Sequence, residues 1–177
     1  MIPKSKGSPG AGKVVFKLGD NVSTDAIYPG RFMATVLSSE TPQYAFADYQ
    51  EFNCRLRNQE IPQGSVVAAG SNFGCGSSRE QAVSALKGHG LIIIARGFAR
   101  IFLQNAVNLG LPLYVCPELE AEIGDELKIK SDQVLNTTTH KSYPLEPLPA
   151  ARSAIIAAGG LIPYTRARLM NNSRHEN

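Results

Sequence analysis

Short apolar runs alternate with helical patterns between residues 65 and 116, an order that few folds accommodate. The run Leu91–Ala95 contains no polar residue, which is typical of a strand buried on both faces of a sheet. Strand, helix, strand, helix and strand in this order predict a parallel βαβαβ core. The predicted strands are Ser65–Ala69, Leu91–Ala95 and Leu113–Cys116, and the predicted helices run from after Ser77 to about Lys87 and over Phe98–Asn108.

The flanking segments add an α/β periphery to this core. Val14–Leu18 is predicted to be a strand, and Thr41–Asn58 to form short helical turns over the surface. Three short antiparallel strands and an Ala-rich helix ended by two glycines follow the core, at Glu126–Lys130, Gln133–Thr138, Ser142–Leu145 and Pro149–Ala158. We expect one domain over residues 13–168, a flexible arm over 1–12 and a polar tail over 169–177, with fraying from residue 166.

Composition excludes several classes of protein. The chain of 177 residues is 43% hydrophobic, enough for one substantial core, and its net charge of +3 is too small for a typical nucleic-acid binder. Its longest apolar run has five residues, Leu91–Ala95, whereas a membrane span needs about 20. The first thirteen residues lack the apolar stretch of a signal peptide. These observations predict a soluble cytoplasmic protein.

Cysteine and histidine spacing predicts no metal site in this chain. Three cysteines at wide spacings form neither a disulfide framework nor a CxxC pair, which favours a reducing compartment. The three histidines are far apart and have no Cys or carboxylate at ligand spacing. Cys75 lies between two glycines, where a small packing residue is the more common role than a reactive thiol.

The segment Gly74–Glu80 has two interpretations from its chemistry. Ser77 followed by Glu80 matches a capping box, in which each side chain satisfies a free amide at a helix start. Alternatively, glycines let the backbone approach a ligand, and Arg79 offers a planar donor pair to a carboxylate. The positive electrostatic potential of a helix start, which binds an anion, would also stabilise a serine alkoxide.

A second candidate lies in the long polar loop that follows the first predicted strand. Asp20 and Asp25 are typical turn-forming residues of such a loop. A functional role requires Asp25 and Arg31 to meet the Ser77 segment in space, which spacing alone leaves open.

Taken together, these motifs resemble the small subunits of 3-isopropylmalate dehydratase. The resemblance covers residues 13 to about 168 and includes several long motifs in the same order. The segments that carry it are Gly19–Ile27, Pro29–Phe32, Gly70–Glu80, Ala95–Phe102, Asn105, Gly110–Pro112 and Gly159–Ile162. It implies the swivelling β/β/α domain equivalent to the C-terminal domain of aconitase, which closes over an active site carried by another polypeptide.

The resemblance also implies roles for individual residues. Ser77 takes the place of the family's catalytic base, Asp25 and Arg79 belong to the active site, and Ser78 joins Arg79 in binding a substrate carboxylate. Arg31 resembles the arginine that begins the specificity loop, which continues with Met33, Ala34 and Thr35. A [4Fe-4S] cluster is expected in a large partner subunit, in a heterodimer or heterotetramer, and no cofactor or metal in this chain. The implied substrate is a hydroxy-diacid that loses and regains water.

The chain departs from the family pattern at several positions. Gln81, Gly97 and Gln104 stand where His, Ser and Arg are common. The specificity loop lacks the extra arginine that homoaconitase-type subunits use for a distal carboxylate, and the small Ala34 suggests a branched or methylated malate. Three alternatives stay open: a 2,3-dimethylmalate dehydratase subunit, a homoaconitate dehydratase subunit, and a non-catalytic binding module on the same fold.

Overall fold

A computed structural model describes residues 10–172 of the chain. Two single-turn 3-10 helices, Gly30–Phe32 and Thr41–Tyr44, accompany the main elements. The strands are β1 Ala11–Lys17, β2 Val66–Ala69, β3 Ile92–Ala95, β4 Leu113–Val115, β5 Glu126–Ile129, β6 Gln133–Asn136 and β7 Lys141–Pro144. The α-helices are α1 Thr24–Ile27, α2 Gln50–Arg57, α3 Glu80–Gly88, α4 Arg100–Leu109, α5 Ala150–Ala157 and α6 Leu161–Asn172.

The strands form one mixed sheet in the order β4-β3-β2-β1-β5-β6-β7. Strands β1 to β4 run parallel, whereas β5 to β7 form an antiparallel meander. Strand β1 joins the two halves because Ala11–Lys13 pair antiparallel with β5 and Val14–Lys17 pair parallel with β2. The predicted parallel βαβαβ core with added antiparallel strands is therefore confirmed.

Both faces of the parallel half are buried. Ile93 and Ile94 are neighbours on β3, and their side chains belong to two different apolar clusters with no exposed surface. The larger cluster lies under helices α2 to α4 and includes Phe46, Phe73 and Phe102. This two-sided burial explains the uninterrupted apolar run, since alternate side chains of a strand point to opposite faces.

Both ends of the chain differ from expectation. Strand β1 begins at Ala11, inside the segment predicted to be a flexible arm, because Ala11 and Gly12 pair with β5. Residues 166–172, predicted to be frayed, belong to helix α6, which packs against α4 and α5. The rest of the predicted arm and tail, residues 1–9 and 173–177, lies outside the described residues.

Helix α2 also differs from the expected surface turns. Phe52 and Leu56 are buried in the larger cluster, and Phe52 stacks on Phe16 with ring centroids 4.1 Å apart. The helix therefore contributes to the core as well as covering it. No helix within residues 10–172 has the length and apolar character needed to cross a membrane.

The topology places two long loops at the same edge of the sheet. Strands β1 and β2 are parallel neighbours, so the loop after Lys17 and the loop after Ala69 leave from adjacent carboxyl ends. Ligand sites in α/β sheets favour this edge. The two loops are the candidate functional site.

Candidate active site

Backbone hydrogen bonds join the two loops, which we call the Asp25 loop (residues 18–31) and the Ser77 loop (residues 70–79). The amide of Gly74 donates to the carbonyl of Val22 at 2.7 Å, and the amide of Thr24 donates to the carbonyl of Cys75 at 2.8 Å. At the start of the loops, Asp20 Oδ1 accepts the amide of Ser71 at 2.6 Å. Residues more than 50 positions apart in sequence are thereby held side by side.

Glycines make this close approach possible. A side chain at Gly70 would overlap Asp20 Oδ1, and one at Gly74 would meet the ring of Phe102 at 2.2 Å. Gly74 and Gly76 also have positive φ angles, 80° and 94°, which side-chain-bearing residues rarely adopt. The glycine-rich motif thus shapes the backbone that presents Ser77.

Ser77 does not cap a helix, so the capping-box prediction is wrong. Helix α3 begins at Glu80, and Arg79 occupies the N-cap position without a side-chain capping bond. The Ser77 hydroxyl instead lies 3.1 Å from the hydroxyl of Thr24. Pairing with the Asp25 loop holds the serine three residues before the helix.

Arg79 and Asp25 form an ion pair across the two loops. Arg79 Nη1 donates to Asp25 Oδ1 and lies 3.3 Å from the carbonyl oxygen of Tyr28. The Arg79 side chain is only 17% exposed, and its buried Nε atom has no hydrogen-bond partner within the described residues. A buried donor without an acceptor is unfavourable, so Arg79 keeps an unsatisfied donor at the junction of the two loops.

The carboxylate of Asp25 is held in its ionised form. The amide of Gly30 donates to Asp25 Oδ1 at 2.8 Å, and this bond is the main reason that the pKa of Asp25 is lowered from 3.8. A hydrogen bond from Arg79 lowers this pKa further, burial opposes the shift, and the charges of Arg79 and Arg31 lower the pKa by smaller amounts. Two guanidinium groups, those of Arg79 and Arg31, therefore lie within electrostatic reach of Asp25.

The specificity-loop residues begin at Arg31, whose charge acts on Asp25. Arg31 donates to Asp48, which raises the pKa of Arg31, and its guanidinium carbon lies 4.7 Å from the centre of the Phe32 ring. The side chains of Met33 and Ala34 are exposed, and Thr35 is half-buried. The structure thus brings Ser77, Ser78, Arg79 and Asp25 together and places Arg31 at their margin.

Sequence reasoning missed three residues that shape the site. Thr24 contacts Ser77, Gly30 supplies the amide that binds Asp25, and Asn105 Nδ2 donates to the carbonyl of Ser78 at 3.3 Å. Thr24 and Gly30 lie within motifs already singled out, so proximity in sequence was the available signal. Asn105 is also one of the residues that carry the family resemblance, but nothing in the local pattern links it to the Ser77 loop.

Two of the three departures from the family pattern have defined contacts. The carbonyl of Gly97 accepts the amide of Phe73 at 2.9 Å, beside the Ser77 loop. Gln104 donates to Asn108 on the same helix at 3.1 Å. Gln81 is half-buried in the first turn of α3.

The described residues do not fit a metal centre or an iron–sulfur cluster. Among residues 10–172, no three or more His, Cys, Asp or Glu side chains converge as metal ligands would. Cys54 is exposed, Cys75 is half-buried and Cys116 is buried. Burial raises the pKa of Cys116 to about 11, which disfavours the thiolate that binds iron.

Comparison with known proteins agrees with the fold and the motifs. Residues 40–118 match the family model described as aconitase C-terminal domain. A solved structure of 3-isopropylmalate dehydratase from Methanocaldococcus jannaschii superposes with a TM-score of 0.83 and 37% identity, covering 93% of this chain and 98% of that chain. The predicted fold class is thereby confirmed.

Curated relatives extend the match over most of the chain. The 3-isopropylmalate dehydratase small subunit of Thermodesulfovibrio yellowstonii is 41% identical over 160 residues, which cover 88% of this chain and 93% of the relative. That of Ruminiclostridium cellulolyticum is 42% identical over 163 residues, covering 89% and 97%. At this identity and coverage, the chain belongs to the family of 3-isopropylmalate dehydratase small subunits.

Proposed function

We propose that the chain is the small subunit of a two-subunit hydro-lyase that acts on a branched 2-hydroxy diacid of the 3-isopropylmalate type, in leucine biosynthesis. The observation that carries the proposal is the convergence of a serine hydroxyl with an Arg79–Asp25 ion pair whose Arg79 Nε atom is buried and unpartnered. A binding module has no need of a serine in that position, whereas the elimination of water needs a base beside a carboxylate site.

Ser77 is the proposed base. A carbon-bound proton next to a carboxylate is weakly acidic, so the base that removes it must be strong, and a serine alkoxide has that strength. The alkoxide requires a site that stabilises negative charge. Arg79 lies two residues away and supplies positive charge in a position that closure against a partner would shield from water.

Arg79 and Ser78 are the proposed carboxylate-binding residues. Arginine binds a carboxylate through two parallel donors, and the hydrogen bond from Arg79 Nη1 to Asp25 already orients this guanidinium. The Ser78 carbonyl accepts a hydrogen bond from Asn105, and the Ser78 side chain is exposed one residue before Arg79. Asp25 acts by orienting the guanidinium and contributes a fixed negative charge.

A large subunit is the proposed partner and the holder of a [4Fe-4S] cluster. The cysteines of the described residues do not fit a cluster, and the relatives are named as small subunits. The cluster of such enzymes supplies Lewis-acid chemistry, and this chain supplies the base and the carboxylate site. The three free thiols suit a reducing cytoplasm.

The specificity loop favours an alkyl-branched acid. Between Phe32 and Phe46 the chain has no lysine or arginine, so this segment offers no cation to a third carboxylate. Met33 and the small Ala34 present apolar surface next to Arg31. This composition favours isopropylmalate or dimethylmalate over a homoaconitate-type acid, with Arg31, Met33, Ala34 and Thr35 as the proposed contacts.

Reconstitution tests the proposal. The purified chain and a cluster-loaded large subunit are assayed separately and mixed, with 3-isopropylmalate, 2,3-dimethylmalate and homoisocitrate-type acids, while ultraviolet absorbance follows the unsaturated product. We expect turnover of an alkyl malate only in the mixture, and iron only in the large subunit. Full activity of the large subunit alone, or stoichiometric iron in the small subunit, would contradict the assignment.

A further inference from the structure

Thr24 places one hydroxyl against two oxygen atoms of the same residue. Its side chain is 2% exposed, and its Oγ1 atom lies 3.1 Å from Ser77 Oγ and 3.2 Å from the Ser77 carbonyl oxygen. A threonine hydroxyl has only one proton to donate. It can therefore donate to one of these two acceptors at a time.

The backbone of Thr24 is fixed from both sides. Its amide donates to the carbonyl of Cys75 at 2.8 Å, in the Ser77 loop, and its carbonyl accepts the amide of Tyr28 at 2.8 Å. Ser23 caps the same turn by accepting the amide of Ala26 at 3.1 Å. The Thr24 hydroxyl is thus held at Ser77 by the pairing of the two loops, and rotation about its C–O bond is the simplest way for it to change acceptor.

We infer that Thr24 is a positioning residue that holds Ser77 Oγ in place and stabilises its alkoxide by turning its hydroxyl proton from the Ser77 carbonyl to Ser77 Oγ. When Ser77 is protonated, its own hydroxyl can donate to Thr24 while Thr24 donates to the carbonyl. When Ser77 has lost its proton, the Thr24 hydroxyl faces a negative oxygen, and a hydrogen bond to a charged acceptor is about twice as strong as a neutral one. Thr24 keeps its proton throughout and transfers none.

This inference deepens the proposed function and rests on it, because it assigns to Thr24 the support of the proposed base. A purely structural threonine would affect stability, whereas a residue that stabilises the alkoxide also changes the acidity of Ser77. The two roles differ in their effect on kcat and on the pH profile.

The chain offers a matched control at Thr41. This residue is 1% exposed, its Oγ1 atom lies 2.9 Å from the hydroxyl of Ser84, and it donates to the carbonyl of Ser38. Thr41 therefore repeats the buried threonine–serine pair outside the two loops of the site. Thr41→Val removes the same hydroxyl from a comparable environment.

The experiment compares Thr24→Val, Thr24→Ser and Thr41→Val in the complex reconstituted with the large subunit. Thr24→Val should lower kcat by roughly ten- to hundredfold, the size of a lost hydrogen bond to a charged group, and leave KM unchanged. In the same variant, the rising limb of the pH profile of kcat should move to higher pH by about one to two pH units. Thr24→Ser keeps the hydroxyl and should have the wild-type rate and pH profile. Thr41→Val should also have them, even if thermal unfolding shows that it loses as much stability as Thr24→Val.

Two results would overturn the inference. One is equal kcat and equal pH profiles for Thr24→Val and Thr41→Val, and the other is a Thr24→Ser enzyme as slow as Thr24→Val. The double variant Ser77→Ala/Thr24→Val separates this inference from the proposed function, because Thr24 acting through Ser77 adds no further loss to Ser77→Ala. Ser77→Ala at the wild-type rate would refute the serine base itself, whereas a slow Ser77→Ala beside a fast Thr24→Val would refute the role of Thr24 alone.

Discussion

Arg79 donates to the carboxylate of Asp25 from a position 54 residues away in the sequence, and this ion pair ties the two loops of the site together. Because Asp25 holds Arg79 Nη1, the guanidinium is oriented before a ligand arrives. Orientation in advance lowers the entropy lost on binding. The ion pair therefore links the fold of the loops to the proposed carboxylate site.

The hydrogen bonds that Asp25 accepts from the Gly30 amide and from Arg79 predict a defined pH dependence of stability. The folded-state pKa of Asp25 lies below 3.8, so the folded chain favours the ionised carboxylate relative to the unfolded chain. This stabilisation is fully present above pH 3.8 and is lost as the pH falls through the folded-state pKa. Asp25→Asn should therefore weaken the dependence of the free energy of unfolding on pH below pH 3.8. Urea denaturation at several pH values measures this dependence. An unchanged slope in the variant would show that Asp25 does not contribute.

Gly30 is predicted to be needed for the position of Arg79. A Cβ atom there would lie 3.1 Å from Arg79 Nη2 and 3.2 Å from Asp25 Oδ1, closer than most side-chain contacts. Gly30→Ala should therefore displace the guanidinium and raise KM for the diacid by about tenfold, equivalent to about 1.4 kcal/mol. Gly19→Ala is the control, because no atom lies within 4 Å of its added Cβ. Equal KM values for the two variants would contradict the prediction.

Gly74 is predicted to be required for folding of the Ser77 loop. Gly74→Ala combines a positive φ of 80° with overlap of the Phe102 ring, and the two effects should cost about 1–2 and 1–3 kcal/mol respectively. Gly124→Ala has a φ of 101° with no neighbour within 4 Å, so it isolates the backbone effect. Thermal or urea unfolding should show the larger loss for Gly74→Ala, and equal losses would refute the role of Phe102.

Arg31 and Ala34 are predicted to contact different parts of the substrate: Arg31 a carboxylate that all these acids share, and Ala34 the variable substituent. Arg31→Ala should reduce kcat/KM for every acid by roughly ten- to hundredfold, because it removes a charged donor from a shared carboxylate. Ala34→Arg should penalise alkyl malates selectively and favour an acid with a third carboxylate. The measurement is kcat/KM for isopropylmalate, dimethylmalate and homoisocitrate-type acids with each variant. Unchanged ratios in Ala34→Arg would show that the loop does not select the substrate.

Much of the sheet could be predicted from sequence because its signals are local. The run Leu91–Ala95 and the helical spacings on either side specify buried parallel strands and their crossover helices, and the structure has them within a few residues. Helix α6 was missed because its apolar residues do not follow one clear face and it starts directly after two glycines. It lies near α4 and α5, but most of its described side chains are exposed, so no buried apolar stripe marks it in the sequence.

The sequence predicted which motifs form the site, but not how their side chains pair. The sequence places Asp25 after the first predicted strand and Ser77 after the second, but whether they meet, and the partner of each side chain, depends on how the two loops pair. Ser77 and Glu80 match a capping box, yet Ser77 contacts Thr24 because the long-range backbone bonds of the Asp25 loop hold it away from the helix start. At Ser77, the hydrogen bonds between the two loops therefore override the local capping pattern.

Turnover by the Ser77→Ala complex tests the account most directly. The variant small subunit is reconstituted with the large subunit, and kcat for the preferred malate is measured beside thermal unfolding and complex formation. Because Ser77 caps no helix, its loss should leave folding and assembly intact, while kcat falls by at least about 10²- to 10⁴-fold, the usual contribution of a general base. A folded, assembled Ser77→Ala complex that turns over near the wild-type rate would contradict the assignment of Ser77 as the base.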